Sequence, residues 1–206
     1  MFDVDSLSQS LSDIGALKGP DGCSEVFEQL TAAYDETGRH YHSAAHISQC
    51  LIHFQTWRHL AENPAEIEIA IWFHDAVYDT HKSDNEQRSA DWAQDYLSEQ
   101  QIDKAVVDRI AEMILATKDH RIDKGDAALM VDIDLGILSA SPANFEIYNR
   151  QIRQEYHWVP SVAYQSGRRK VLSEFLNRDQ IYKTPAVREQ LEVRARKNLE
   201  LALAMN

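Results

Sequence analysis

The chain has 206 residues, 44% of them hydrophobic, with 7 Gly, 5 Pro and a formal net charge of −12 at pH 7. This length suits a single domain, and so few glycines and prolines cannot supply the frequent turns of an all-β sandwich or barrel. The acidic balance opposes general attraction to nucleic acid, whose phosphates reward clustered Lys and Arg.

Taken in chain order, apolar residues return at helical spacing: Val26, Phe27, Leu30, Ala33 and Tyr34, then Ile47, Cys50, Leu51 and Phe54, then Val106, Ile110, Met113 and Ile114. We therefore expect an all-α fold, with helices over 4–16, 22–36, 44–60, 64–79, 85–99, 103–118, 126–140, 142–157, 161–177 and 185–203. Asn63-Pro64, Ser141-Pro142 and Thr184-Pro185 each pair a capping residue with a proline suited to the first helical position. Cys23 and Cys50 fall on separate helices without CxxC pairing and are expected as buried free thiols. The strongest apolar stretches, Ile69–Phe73 and Ala127–Val131, are far shorter than the ~20 residues that span a bilayer. Met1–Ser10 lacks a basic start followed by an apolar run, so a cytoplasmic protein without membrane contact is expected.

Charge is distributed unevenly. Residues 1–149 carry 10 Lys/Arg against 27 Asp/Glu, and residues 150–206 carry 11 against 6. Either the acidic body holds cations and the basic quarter meets an anion, or the two parts attract one another within the fold. Loops are expected at Thr37–Ser43, Thr80–Asp84 and Lys118–Lys124, and metal-capable residues lie at or beside each.

Three features carry chemistry: Tyr41-His42 with His46 at a helix start, Trp72-Phe73-His74-Asp75 late in the next helix, and Asp132-Ile133-Asp134 inside an apolar helix. A buried carboxylate is costly unless a cation or hydrogen-bond donors compensate it, so at least one of these aspartates needs such a partner. A His-Asp doublet alone is a weak signal. An upstream histidine, the doublet about thirty residues later and an aspartate about sixty residues beyond form a much less accidental set.

The order His46, His74-Asp75, Asp134 resembles the metal-binding signature of the HD superfamily, whose members are all-helical hydrolases acting mostly on phosphate esters. The resemblance is closest to a bacterial subfamily described as predicted metal-dependent HD phosphohydrolases, and it spans roughly 38–200. Its pieces include Phe73-His74-Asp75-Ala76-Val77-Tyr78-Asp79, Asp84-Asn85-Glu86, Ala116-Thr117 with His120, Ile152-Arg153-Gln154-Glu155-Tyr156, Gly167-Arg168 and Ala195-Arg196-Lys197-Asn198-Leu199. It implies one HD-type helical domain over 1–206, of about eight to ten helices, with a metal-binding part near 38–140 and helices over 142–203 packed on it.

The resemblance also implies the ligands His46, His74, Asp75 and Asp134, with Asp132 as the second choice, for one divalent ion per chain (Mn, Fe, Co, Ni, Zn or Mg). Asp79, placed one helical turn after Asp75, and Glu86 are the candidate catalytic acid or base. His42 and His120 are expected at the substrate, with His120 a further candidate metal ligand. Arg153 beside Tyr156, and Tyr164 beside Arg168, are expected to offer guanidinium and ring pairs to a phosphorylated molecule. The expected activity is hydrolysis of a small phosphorylated substrate, a nucleotide among the candidates. A non-catalytic nucleotide- or partner-binding module and a di-iron oxygenase are the alternatives. Nucleic acid and membrane are not expected partners; a second copy of the chain is left open.

Overall fold

A computed structural model describes residues 2–16 and 20–205; residues 1, 17–19 and 206 of the expected 1–206 domain lie outside them. Among the described residues there are ten α-helices and no strand. The helices are α1 Val4–Asp13, α2 Pro20–Tyr34, α3 Ala44–Trp57, α4 Pro64–Phe73, α5 Asn85–Glu99, α6 Lys104–Ala116, α7 Gly125–Asp134, α8 Pro142–Glu155, α9 Ser161–Leu176 and α10 Pro185–Met205. Short 3₁₀ turns extend α3 over Arg58–Leu60 and α7 over Leu135–Ser139. Each predicted Pro-marked start is a helix start, because proline's fixed φ suits that position and its missing N–H costs nothing there. None of the helices is long and apolar enough to cross a membrane.

Helix α4 is the axis of the fold. Ile67, Ile69, Ala70, Ile71, Trp72 and Phe73 are all fully buried, and α1, α3, α5, α6 and α7 pack around them. A helix apolar on every face belongs in the interior. Two buried glutamates on α4 are fully compensated. Glu66 takes a two-pronged bond from Arg109 of α6, at 2.8 and 2.5 Å. Glu68 accepts from the Ser10 hydroxyl at 2.6 Å, from Gln55 at 2.8 Å and from Arg58.

The end of α4 corrects the sequence expectation. The helix stops at Phe73 rather than continuing to 79, although Ala76, Val77 and Tyr78 keep an apolar pattern. Its carbonyls are captured from outside. The buried Tyr34 hydroxyl donates to the Trp72 carbonyl at 2.8 Å, while Arg39 donates to the carbonyls of Asp75 at 2.6 Å and Ala76 at 2.9 Å. Ala76 N–H then bonds back only three residues, to Phe73, and the chain turns. His74 is thus the C-cap residue and Asp75 lies just beyond it.

The C-terminal helices are tied to the end of α7. Asp132, fully buried, accepts the backbone N–H groups of Lys183 at 2.8 Å and Thr184 at 2.6 Å at the start of α10. Tyr182 donates to the Leu135 carbonyl at 3.1 Å, and Asn198 Nδ2 donates to the carbonyls of Leu138 and Ala140, both at 2.9 Å. Gly136 lies so close to His53 of α3 that a Cβ there would fall 2.3 Å from the ring Nδ1. Cys23 and Cys50 are both free and buried, as expected.

Asp132 therefore compensates its burial with two amide donors. Replacing Asp132 with Ala is expected to lower unfolding stability by about 2 kcal/mol, the cost of leaving such donors unmatched. Metal content should be unchanged. Urea unfolding and elemental analysis of the variant check both parts.

Candidate metal centre

Four side chains from three segments converge where α3, α4 and α7 meet. His46 sits on the first turn of α3, His74 caps α4, Asp75 follows in the turn, and Asp134 is the last residue of α7. Ending α4 at Phe73 is what lets adjacent residues serve one point, since neighbours inside a helix diverge by about 100°.

His46 Nε2 lies 3.2 Å from His74 Nε2, 3.4 Å from Asp75 Oδ2 and 3.1 Å from Asp134 Oδ1. His74 Nε2 lies 3.2 Å from Asp75 Oδ2 and 3.5 Å from Asp134 Oδ1. Donors held about 2.1 Å from one ion stand about 3.0 Å apart in an octahedron and about 3.4 Å apart in a tetrahedron. The observed edges span that interval, so the donor set fits a divalent ion. Cys50 Sγ joins the cluster, with one donor atom each from His46, Cys50, His74 and Asp134 within 4.8 Å of one another.

The tautomer of His74 also suits ligation. Its Nδ1 donates to the Ile71 carbonyl at 2.9 Å, which leaves the Nε2 lone pair for the centre. The imidazoles are almost fully enclosed, whereas the side chains of Asp75 and Asp134 keep 18% and 16% exposure. Both carboxylates line a cavity of about 690 Å³, and that side of the centre is its open face.

Charge in the cluster is polarised strongly. Burial pushes the Asp75 and Asp134 carboxyls up, yet His74 and His42 around the first, and His120, His46 and His74 around the second, hold both well below the usual carboxylate range. Burial opposes protonation of the two imidazoles. Cys50, Tyr41, Asp134 and Asp75 around His46, and Asp75 and Asp134 around His74, nevertheless raise both well above the ordinary histidine value. The cluster could hold a metal ion, which would compete there with protons.

Between the two aspartates left open by sequence, Asp134 belongs to the cluster and Asp132 to the α10 start. His120 donates from Nε2 to Asp134 Oδ2 at 2.8 Å, orienting the carboxylate from outside. It holds a left-handed backbone at φ +53°, with Arg178 bonded to its carbonyl at 2.7 Å and to that of Asp119 at 2.8 Å. A non-glycine residue in that region costs roughly 1–2 kcal/mol, so the Arg178 clasp maintains a strained loop beside the site. His42, Glu86, Tyr156 and Arg168 also line the cavity.

Two expected residues lie elsewhere. Asp79 is in a loop rather than one helical turn beyond Asp75; its carboxylate accepts the His81 N–H at 2.8 Å, and it lines a different cavity. Arg153 donates to the Val159 carbonyl at 3.1 Å and to that of Tyr156, clasping the α8–α9 turn. The expected ring pairs are crossed as well, with Arg153 over Tyr164 at 4.6 Å and Arg168 over Tyr148 at 4.9 Å. Neighbouring helices, rather than spacing within one helix, choose the partners.

The sequence reading gave no role to Arg39, nor to Glu155, which it quoted only as part of the Ile152–Tyr156 piece of the resemblance. Buried Glu155 gathers five donors on one carboxylate: the N–H groups of His40, Tyr41 and His42 at 2.7–2.9 Å on Oε1, and His42 Nδ1 at 2.7 Å and the Tyr78 hydroxyl at 3.0 Å on Oε2. It fixes the segment that leads into His46. Burial would raise this carboxyl, but the His42 ring and the backbone donors bring it down to about 2. Its one signal was its place in the Ile152–Tyr156 piece of the resemblance, far in sequence from its partners.

Purified protein is expected to carry about one divalent ion per chain, and His74→Ala or Asp75→Ala should empty the centre in elemental analysis. Ion retained by both variants would rule out this ligand set. A second expectation concerns Glu155, whose carboxyl falls on folding from its ordinary 4.5 to about 2. Its stabilisation, on the order of 3 kcal/mol, is complete above pH 4.5 and is lost as pH falls towards 2. The difference in urea stability between wild type and Glu155→Gln should therefore shrink as the pH is lowered through that window.

Comparison of this chain with family models, with curated proteins and with solved structures finds no match, so the reading of the centre rests on its own geometry.

Proposed function

We propose that this chain is a metal-dependent phosphohydrolase of the HD type, hydrolysing a small phosphorylated molecule such as a nucleotide. The observation that carries this reading is the convergence of two enclosed imidazoles on two carboxylates, 3.1–3.5 Å from them, with both carboxylates lining a ligand-sized cavity of about 690 Å³. A divalent ion held by His46, His74, Asp75 and Asp134 would supply Lewis acidity towards water and a phosphoryl oxygen.

The cavity walls suit the other parts of such a substrate. Arg168 lines it, with one terminal nitrogen bonded to Asn149 Oδ1 at 2.7 Å and the guanidinium beside the ring of Tyr148. Its positive charge favours an anionic oxygen in the cavity. Lys82 and Lys118 add positive charge to the lining, and Lys118 also holds the Ser83 carbonyl at 2.9 Å. Tyr156 and Tyr164 provide flat apolar surface for a base or sugar. Glu86, half-buried on the same lining, is the carboxylate available to accept a proton from attacking water or to give one to the leaving oxygen. His42 lines the same cavity as Asp75 with its Nδ1–H committed to Glu155, which leaves Nε2 as the nitrogen free for substrate.

Supplied with Mn, Co, Zn or Mg, the protein should hydrolyse at least one member of a panel of nucleotides, cyclic dinucleotides and sugar phosphates. Asp75→Ala should lower kcat/KM by on the order of 100-fold or more without loss of helical circular dichroism. Arg168→Ala should raise KM several-fold at unchanged metal content, whereas Arg153→Ala should affect thermal stability instead. Tight nucleotide binding with no turnover under any metal would replace the hydrolase reading with that of a binding module.

A further inference from the structure

Apart from the metal centre, α8, α9 and α10 border a cavity of about 500 Å³. Arg150 and Arg153 lie three apart on α8, and Tyr164 and Arg168 four apart on α9, so each helix turns one face to it. Tyr164 and Arg168 also line the cavity beside the metal centre and form the wall between the two. Arg150, Arg153 and Gln165 line this cavity and not that one.

Its charge is one-sided. Three guanidiniums face a single carboxylate in the lining, that of exposed Glu146. Among the described residues no carboxylate pairs with Arg150, Arg153 or Arg168, whereas Arg58, Arg109 and Arg196 each hold a glutamate. Arg153 and Arg168 spend their hydrogen bonds on neutral groups, the carbonyls of Tyr156 and Val159 for the first and Asn149 Oδ1 for the second. Their guanidiniums also lie 4.6 Å from the ring centre of Tyr164 and 4.9 Å from that of Tyr148. Carbonyls, amides and ring faces steady a guanidinium without cancelling its charge. Both side chains are partly withdrawn from water, where an unmatched charge is costly. An anion in the cavity supplies the missing countercharge, and guanidiniums already held in place lose little freedom on meeting it.

We propose that this cavity is a second anion site, in which Arg150, Arg153 and Arg168 take the phosphate group of a small phosphorylated molecule. Several planar forks around one concavity match the several oxygens of a phosphoryl group. Phe145 and Leu201 provide apolar surface for the uncharged remainder of the ligand. The site needs neither a metal ion nor turnover, so it stands independently of the hydrolase reading.

Modification of arginine by phenylglyoxal in the purified full chain, read by peptide mass spectrometry, tests this with inorganic phosphate as the probe. Ionic strength is held constant with chloride, so that general screening is the same in every sample. Phosphate should slow the modification of exposed Arg150 several-fold, as occupancy rises. Exposed Arg194, on a different cavity, should keep its rate. Gln165→Glu adds a carboxylate to the lining and should abolish the protection of Arg150 at unchanged metal content. Glu146→Gln removes the lining carboxylate and should strengthen that protection. Equal rates at Arg150 with and without phosphate, equal protection of Arg194, or protection of Arg150 that survives in Gln165→Glu would each overturn the proposal. If Gln165→Glu does not fold, unchanged protection in Glu146→Gln overturns it instead. Absence of turnover with Arg150 protected would sink the hydrolase reading and leave this site standing.

Discussion

Asp134 must keep a negative charge at the end of an apolar helix, next to Asp75, where most of the surrounding surface is protein rather than water. Like charges this close are stable only if positive or donor groups face them. His46, His74 and His120 fill that role from three other segments, and the fold supplies each from a place where a chain end or turn is already pinned. Such an arrangement of imidazoles around two carboxylates favours bound protons and could exchange them for a metal ion. Metal affinity and protonation are then two readings of the same local charge balance.

The pins are mostly arginines that bind carbonyls. Arg39 stops α4, Arg178 clasps the His120 loop, Arg153 closes the α8–α9 turn, and Arg196 gathers the carbonyls of Leu176, Arg178 and Asp179 beyond the end of α9. Helix C-termini expose carbonyls and carry partial negative charge, so a guanidinium with several donors in a fixed fork answers both needs. The basic final quarter of the chain thus spends much of its charge on helix ends rather than on the acidic side chains of the first part. Arg168 differs from these in bonding a side chain, that of Asn149, beside the cavity.

Local signals were legible in the sequence. A proline after a capping residue marks a helix start without reference to the rest of the fold, and the starts at Pro64, Pro142 and Pro185 came from that alone. The clustered side chains were legible as a set because polar residues in apolar runs demand compensation, and the geometry separates Asp134 from Asp132 by their partners. What stayed hidden depended on residues distant in sequence. The stop after Phe73 needs Tyr34 and Arg39, the placement of Asp79 follows from that stop, and the crossed Arg153–Tyr164 and Arg168–Tyr148 pairs need the docking of α8 on α9. Glu155 reaches residues more than a hundred positions earlier, and no periodicity announces such a contact.

That last contact has a mechanical meaning. Because three successive amides, an imidazole and a phenol all terminate on one carboxylate, the segment before α3 and the end of α8 cannot separate by losing one bond at a time without stranding the others. The joint opens as a unit or stays shut. Any displacement of α8, which also carries Tyr148 on the cavity wall, is handed through Glu155 to the residues that begin the helix of His46. The cavity wall and the helix that bears His46 behave as one lever with Glu155 as its fulcrum.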